Sequence, residues 1–164
     1  MENKCIQNYG RNKESFYHKL VSSMLQKGYA VTLSVQGISM FPALQENDMV
    51  RIEKKKLYLP GDIVVFEHET EGLLIHRLLK VKGSRYLCKG DNCFRIECTT
   101  YKEIYGKVVL ISHEGIDKVP GAVSKKQIRL SYKVNRKFVR SGCNVKLTRK
   151  SFIYNKYKRI YLDS

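Results

Sequence analysis

Six short runs between Val31 and Ile111 restrict the fold more than anything else in the sequence. VTLSV (31–35), MVRIE (49–53), DIVVF (62–66), LLIHRLLKV (73–81), RYLCK (85–89) and YGKVVLI (105–111) are rich in β-branched and aromatic residues. QEND, LPGD, ETEG, KGS and GDN stand between them as turn signals. Branched and aromatic side chains suit a pleated, half-buried surface, whereas Gly, Pro, Asn and Asp turn the chain. Many short strands on a regular spacing predict a mainly β protein with an antiparallel sheet that is folded or barrel-like.

Helical spacing precedes and follows this region. Phe16, Tyr17, Leu20, Val21, Met24 and Leu25 form one apolar stripe and Gly28 ends it, which predicts an amphipathic helix. The chain divides into an N-terminal helical region (1–30), a β domain (31–120) and a basic C-terminal extension (121–164). Within the extension, QIRLSYKV alternates like a strand at Ile128, Leu130, Tyr132 and Val134. FIYNKYKRIYL reads as a helix with Ile153, Tyr157, Ile160 and Tyr161 on one face and Lys156, Lys158 and Arg159 beside it.

Charge separates the extension from the rest. The 164 residues carry a formal net charge of +16. Residues 121–164 hold 13 Lys and Arg against one acid, Asp163, so +12 of that charge lies in the tail. A surface of this kind attracts phosphate, on lipid headgroups or on nucleic acid. A stripe with basic flanks either lies in a membrane interface or packs on its own domain with its charges in water. We expect weak attachment to an anionic membrane surface through the tail. Nucleic acid is the less favoured partner, since no recognised binding motif accompanies the charge.

No run of 18 apolar residues exists, and MENKCIQNYGRNKES lacks the apolar centre of a signal peptide. A cytoplasmic protein, peripheral at the membrane, is the expectation. Five cysteines are an odd number, and Cys88, Cys93 and Cys98 do not have zinc-knuckle spacing, so reduced thiols are expected. No metal or cofactor is predicted.

Three polar features fall at strand ends. Ser39 lies in GISMFP, His76 in LLIHRLLKV, and Asp91 in KGDN. A serine hydroxyl needs a base to remove its proton, and neutral imidazole suits that task. A carboxylate fixes the imidazole tautomer and stabilises the imidazolium. Period-two alternation puts Leu74, His76 and Leu78 on one face of the strand and Ile75, Arg77 and Leu79 on the other. Taken singly, each of the three polar residues is more often structural than catalytic.

Their order says more. GISMFPAL, NDMVRIEK, PGDIVVF, LLIHRLLKV, YLCKGDN and YGKVVLI follow one another as do the boxes of the signal peptidase I superfamily, which this sequence resembles from Val31 to Ile111. That superfamily includes the self-cleaving SOS-type repressors. The resemblance implies a serine endopeptidase in which Ser39 is the nucleophile. It places His76 where bacterial-type enzymes carry a lysine before an arginine. Histidine at that position, with Lys-Gly-Asp-Asn, marks the endoplasmic-reticulum-type branch. Asp91 matches the acid of that box, and Glu97 stands where the branch has a second acid. Asp91 is therefore the first choice for the third member and Glu97 the reserve. Met40 and Pro42, inside the serine box, are the implied substrate-binding residues. Gly37 occupies the place of a side-chain oxyanion donor, which leaves backbone N–H groups to stabilise the intermediate. The implied substrate is a leader or precursor peptide cut after a small residue. The implied relative is a small, unanchored member, without the DNA-binding domain or the scissile Ala-Gly of the repressors. An unperturbed histidine base would titrate near ~6.5, and a carboxylate beside it would raise that value.

Two other classes compete. One is a peptide-binding protein on an idle peptidase scaffold. The other is a nucleic-acid binder that stacks bases on Tyr132, Phe138, Phe152, Tyr154, Tyr157 and Tyr161.

Overall fold

The computed structural model describes residues 16–161. Residues 16–26 are helical (α1). The β region follows as β1 (Val31–Ser34), β2 (Met49–Glu53), β3 (Ile63–His68), β4 (Gly72–Lys82), β5 (Arg85–Lys89), β6 (Glu97–Thr100), β7 (Ile104–His113) and β8 (Ile116–Lys118). These make an open antiparallel sheet in the order β1-β2-β7-β3-β4-β5-β6, with β8 added to β7. All six expected strands are present, and the mainly β reading holds. β6 and β8 are additional. β8 returns from β7 through Glu114 and Gly115, both at positive φ, the backbone of a tight two-residue hairpin.

The sheet has a core on each face. Leu33, Val50, Ile52, Ile63, Val65 and Val108 pack with Val21 and Leu25 of α1 on one side. Val64, Phe66, Leu78, Tyr86, Cys88 and Ile104 form the other, with Tyr58. β3 therefore has both faces buried, which explains its unbroken apolar run. In β4, Leu74 and Leu78 join the second cluster and Ile75 the first, as alternation requires.

The extension is helical: α2 (Lys125–Arg140), α3 (Val145–Arg149) and α4 (Phe152–Tyr161). The strand expected at QIRLSYKV is instead part of α2. Ser124 and Gln127 form a capping box at its start, and the buried residues Leu130, Ser131, Val134 and Phe138 recur at helical spacing. The helix expected at FIYNKYKRIYL is α4. Its Tyr157 is buried, and Ile153 and Ile160 pack around it with Leu130 and Val134 of α2. The side chain of Tyr161 lies outside the described residues.

Candidate active site

Ser39 sits on a loop closed at its base. Val35 N–H donates to Asp48 O at 2.8 Å, and Asn47 N–H donates back to Val35 O at 2.9 Å. The Asp48 side chain accepts from Gln45 N–H at 2.8 Å. Inside the loop, Phe41 N–H bonds Ile38 O and Leu44 N–H bonds Met40 O. Met40 and Leu44 are buried in the first core, so the turn is anchored on both sides of Phe41 and Pro42. Gly37 has φ +73°, left-handed backbone that a side chain rarely tolerates. Ser39 is thereby held half-buried between exposed Ile38 and buried Met40.

His76 comes from β4, opposite Val64 of β3, and is 4% exposed. Its Nδ1 lies 3.0 Å from Glu97 Oε2. Glu97 opens β6, where pairing with Cys88 of β5 carries it to the histidine. Gly90 shows where the other ring nitrogen points. A Cβ on Gly90 would lie 2.7 Å from Ser39 O, 2.9 Å from Cys93 Sγ and 3.0 Å from His76 Nε2. Nε2, Cys93 and the Ser39 turn thus converge on one point that only glycine leaves open. Asn92 ties the same loop to the serine: its N–H donates to Ser39 O at 2.8 Å and its side chain to Ile38 O at 3.3 Å. Burial pushes the His76 pKa down, but Cys93 and the Glu97 carboxylate outweigh it and raise the value to about 9. The ordinary value near ~6.5 does not apply here.

Asp91 is placed differently from the expectation. It is 1% exposed and faces Arg77, itself 3% exposed. Arg77 Nε donates to Asp91 Oδ1 at 2.9 Å, Nη2 donates to Oδ2 at 2.6 Å, and Nη1 donates to Gly61 O at 2.9 Å. This forked, buried pair joins β4 to the loop after β5 and to the turn before β3. Alternation already put Arg77 on the opposite face of β4 from His76, and Asp91 goes with the arginine. The geometry therefore reverses the expected order: Glu97 meets the imidazole, and Asp91 holds the scaffold.

Three further residues stand beside the site in places the sequence did not assign to it. Cys93 faces His76, and its thiol is free. Lys89 is fully buried, and burial pushes its pKa down to about 8 against the pull of Asp91. Its Nζ donates to Gly90 O at 2.9 Å and to Tyr157 Oη at 3.4 Å. Tyr157 is the third: its hydroxyl donates to Asp91 O. The sequence shows Lys89 as the first residue of the Lys-Gly-Asp-Asn box and Tyr157 as part of an amphipathic stripe, and only the assembled fold brings the two together behind the site.

A cleft of about 190 Å³ opens beside the serine, lined by Leu33–Gln36, Ser39, Met40, Leu73–Ile75 and by Tyr17 and His18 of α1. β1 ends the sheet, and β5 pairs with β4 only from Arg77 onward. Among the described residues, the outer edges of β1 and of β4 before Arg77 have no strand partner, and both border the cleft. Met40 lies in its wall, with its side chain almost wholly buried in the first core. Pro42 lines a separate cavity with Arg77, Asp91, Lys118, Val119 and residues 121–123. Among the described residues, no group of three His, Cys, Asp or Glu could hold a metal ion.

Residues 5–113 match the Peptidase S24-like family, more than half of the chain. The chain belongs to that family. The matched segment contains Ser39, His76, Asp91 and Glu97, and α2, α3 and α4 lie beyond it. No curated protein matches the chain. Membership gives a peptidase-like scaffold. Among the described residues, no helix is long and apolar enough to cross a membrane.

Proposed function

We propose that this S24-like protein is a serine endopeptidase of the histidine-base type, with Ser39 as nucleophile, His76 as general base and Glu97 as the carboxylate that orients it. The supporting observation is the position of the imidazole: Nδ1 is taken by Glu97, and Nε2 points at the loop that grips the Ser39 turn. In this reading Ser39 Oγ attacks the scissile carbonyl as Nε2 takes its proton. Backbone N–H groups of the turn stabilise the oxyanion, and Nε2 then protonates the leaving amine. Water, activated by the same nitrogen, hydrolyses the acyl ester. The substrate lies extended in the cleft between β1 and β4, adding a strand to the exposed edges. The small volume of the cleft, about 190 Å³, suits a small residue before the cut, in a leader or precursor peptide. The tail, with its +12 charge, adds weak attachment to anionic membrane.

A second reading has one observation in its favour. With a pKa near 9, His76 is mostly protonated at pH 7 and cannot act as a base, which suits an idle scaffold that only binds peptides. One experiment separates the two. Wild type and Ser39→Ala are incubated with a peptide library at pH 7 and pH 9, and new termini are read by mass spectrometry. Cleavage by wild type that rises at pH 9 and disappears in Ser39→Ala supports the peptidase. Binding without new termini at either pH supports the idle scaffold.

A further inference from the structure

The helices beyond the family-matched segment reach the candidate site through one loop. Tyr157 of α4 is 1% exposed, and its hydroxyl donates to the carbonyl of Asp91. Lys89 Nζ lies 5.0 Å from the centre of the same ring and also donates to Gly90 O. From α2, Asn135 Nδ2 donates to Phe94 O at 2.9 Å, and Phe138 stacks on Phe94 with ring centres 5.4 Å apart. Both ends of the segment 90–94 are therefore held from the extension. That segment in turn holds the serine, through Asn92 N–H on Ser39 O at 2.8 Å and the close approach of Gly90 to Ser39 O and His76 Nε2.

The character of these contacts separates them from simple packing. A helix pair that only covered a sheet face would need apolar contact alone. Here a phenol hydroxyl and a carboxamide each meet a main-chain carbonyl of one irregular loop. Those carbonyls lie outside any strand ladder, and a buried carbonyl needs a donor.

We propose that the C-terminal helices are a positioning element for the candidate active site, and that Tyr157 fixes the 90–94 loop, which sets Ser39 against His76. Tyr157 meets neither substrate nor the reacting atoms, so it is a positioning residue. The catalytic consequence rests on the peptidase reading; the loop placement does not.

The test compares Tyr157→Phe, which removes one oxygen, with Val134→Ala, which weakens the same helical core but removes no hydrogen bond to the loop. Amide exchange of Asn92 and Cys93 is followed by NMR, with Val50 and Ile52 of β2 as references for global opening. Losing one hydrogen bond to the loop should speed Asn92 exchange roughly three- to tenfold in Tyr157→Phe. Val134→Ala should leave the ratio of Asn92 to reference exchange unchanged. In parallel, cleavage of the best library peptide should show a similar fall in kcat with KM unchanged in Tyr157→Phe. Unchanged Asn92 exchange overturns the proposal whatever the rate. So does Val134→Ala reproducing both effects, or altered exchange with an unaltered kcat. If wild type cleaves nothing between pH 6 and pH 10 while Asn92 responds to Tyr157→Phe, the peptidase reading fails and the loop brace stands.

Discussion

Replacing Glu97 by glutamine tests the heart of the site, because it keeps the shape of the side chain and removes its charge. In the wild type, burial lowers the His76 pKa, and Cys93 and Glu97 together lift it to about 9. The side-chain oxygen is 3.0 Å from Nδ1 and largely shielded from water, so screening is weak. Without that charge, burial acts against Cys93 alone, and the titration should fall towards or below the ordinary histidine range. A folded-state pKa raised from 6.5 to about 9 corresponds to about 3 kcal/mol of stabilisation of the protonated fold. The sign follows from proton uptake. The folded protein binds the proton more tightly than the unfolded chain. The stabilisation is therefore complete below about pH 6.5 and is lost as pH rises through about 9.

Two measurements read this directly. Urea unfolding of wild type and Glu97→Gln at pH 6 and at pH 10 should show a gap that is large at the lower pH and narrows by most of that amount at the higher. NMR of the His76 Cε1–H should place the wild-type midpoint well above that of the variant. Cleavage by wild type should climb with pH through the same high midpoint, since the base works only when neutral. In Glu97→Gln the climb should move to lower pH and the plateau should drop. A wild-type histidine that titrates near ~6.5, or a stability gap that does not change with pH, would refute the reasoning.

Three further outcomes follow from the same geometry. Asp91→Asn removes the carboxylate that faces the buried Arg77, so unfolding free energy should fall by about 3 kcal/mol. Its His76 midpoint should stay in place; a shifted midpoint would return Asp91 to the imidazole. Gly90→Ala places a methyl 2.7 Å from the Ser39 carbonyl and 3.0 Å from His76 Nε2, so cleavage should be lost while the fold persists at a cost of about 1–3 kcal/mol. Full activity there would mean that the loop and the serine turn are not held together. The basic surface of α2 and α4 should retain the protein on anionic vesicles at low salt and release it at high salt. No retention at low salt would leave that surface merely solvated.

Short-range chemistry made most of the sheet legible, and pairing made the rest invisible. VRI and IVV contain enough branched side chains to declare themselves as strands. Glu97–Thr100 does not: ECTT has a single buried residue, and it is a strand because β5 offers it an edge. The third member of the candidate triad depended on that strand. Glu97 reaches His76 only once Cys88 and Glu97 are paired, whereas Asp91 sits in the more recognisable box. The alternation of β4 held the necessary warning, since Arg77 on the face opposite His76 is the natural partner for a buried aspartate.

The extension failed to declare itself for a different reason. An eight-residue window such as QIRLSYKV fits periods of 2 and of 3.6 equally well until Phe138 extends the helical series. The stripe of α4 was readable as a stripe, but its occupant was not. Membrane and protein core attract the same residues, and only the opposing surface decides between them. Here that surface is Leu130 and Val134 of α2, together with Phe94. Packing turns Ile153, Tyr157 and Ile160 inward while Phe152 stays exposed, so membrane attachment would rest on the charged side with that ring beside it. Tyr157 shows the limit most clearly. Its ring belongs to the stripe, but its hydroxyl answers a main-chain carbonyl in the loop that holds the serine. A sequence names side chains and is silent about which carbonyls a fold will leave without a donor, so a residue that positions an active site from behind can be read only from its partner.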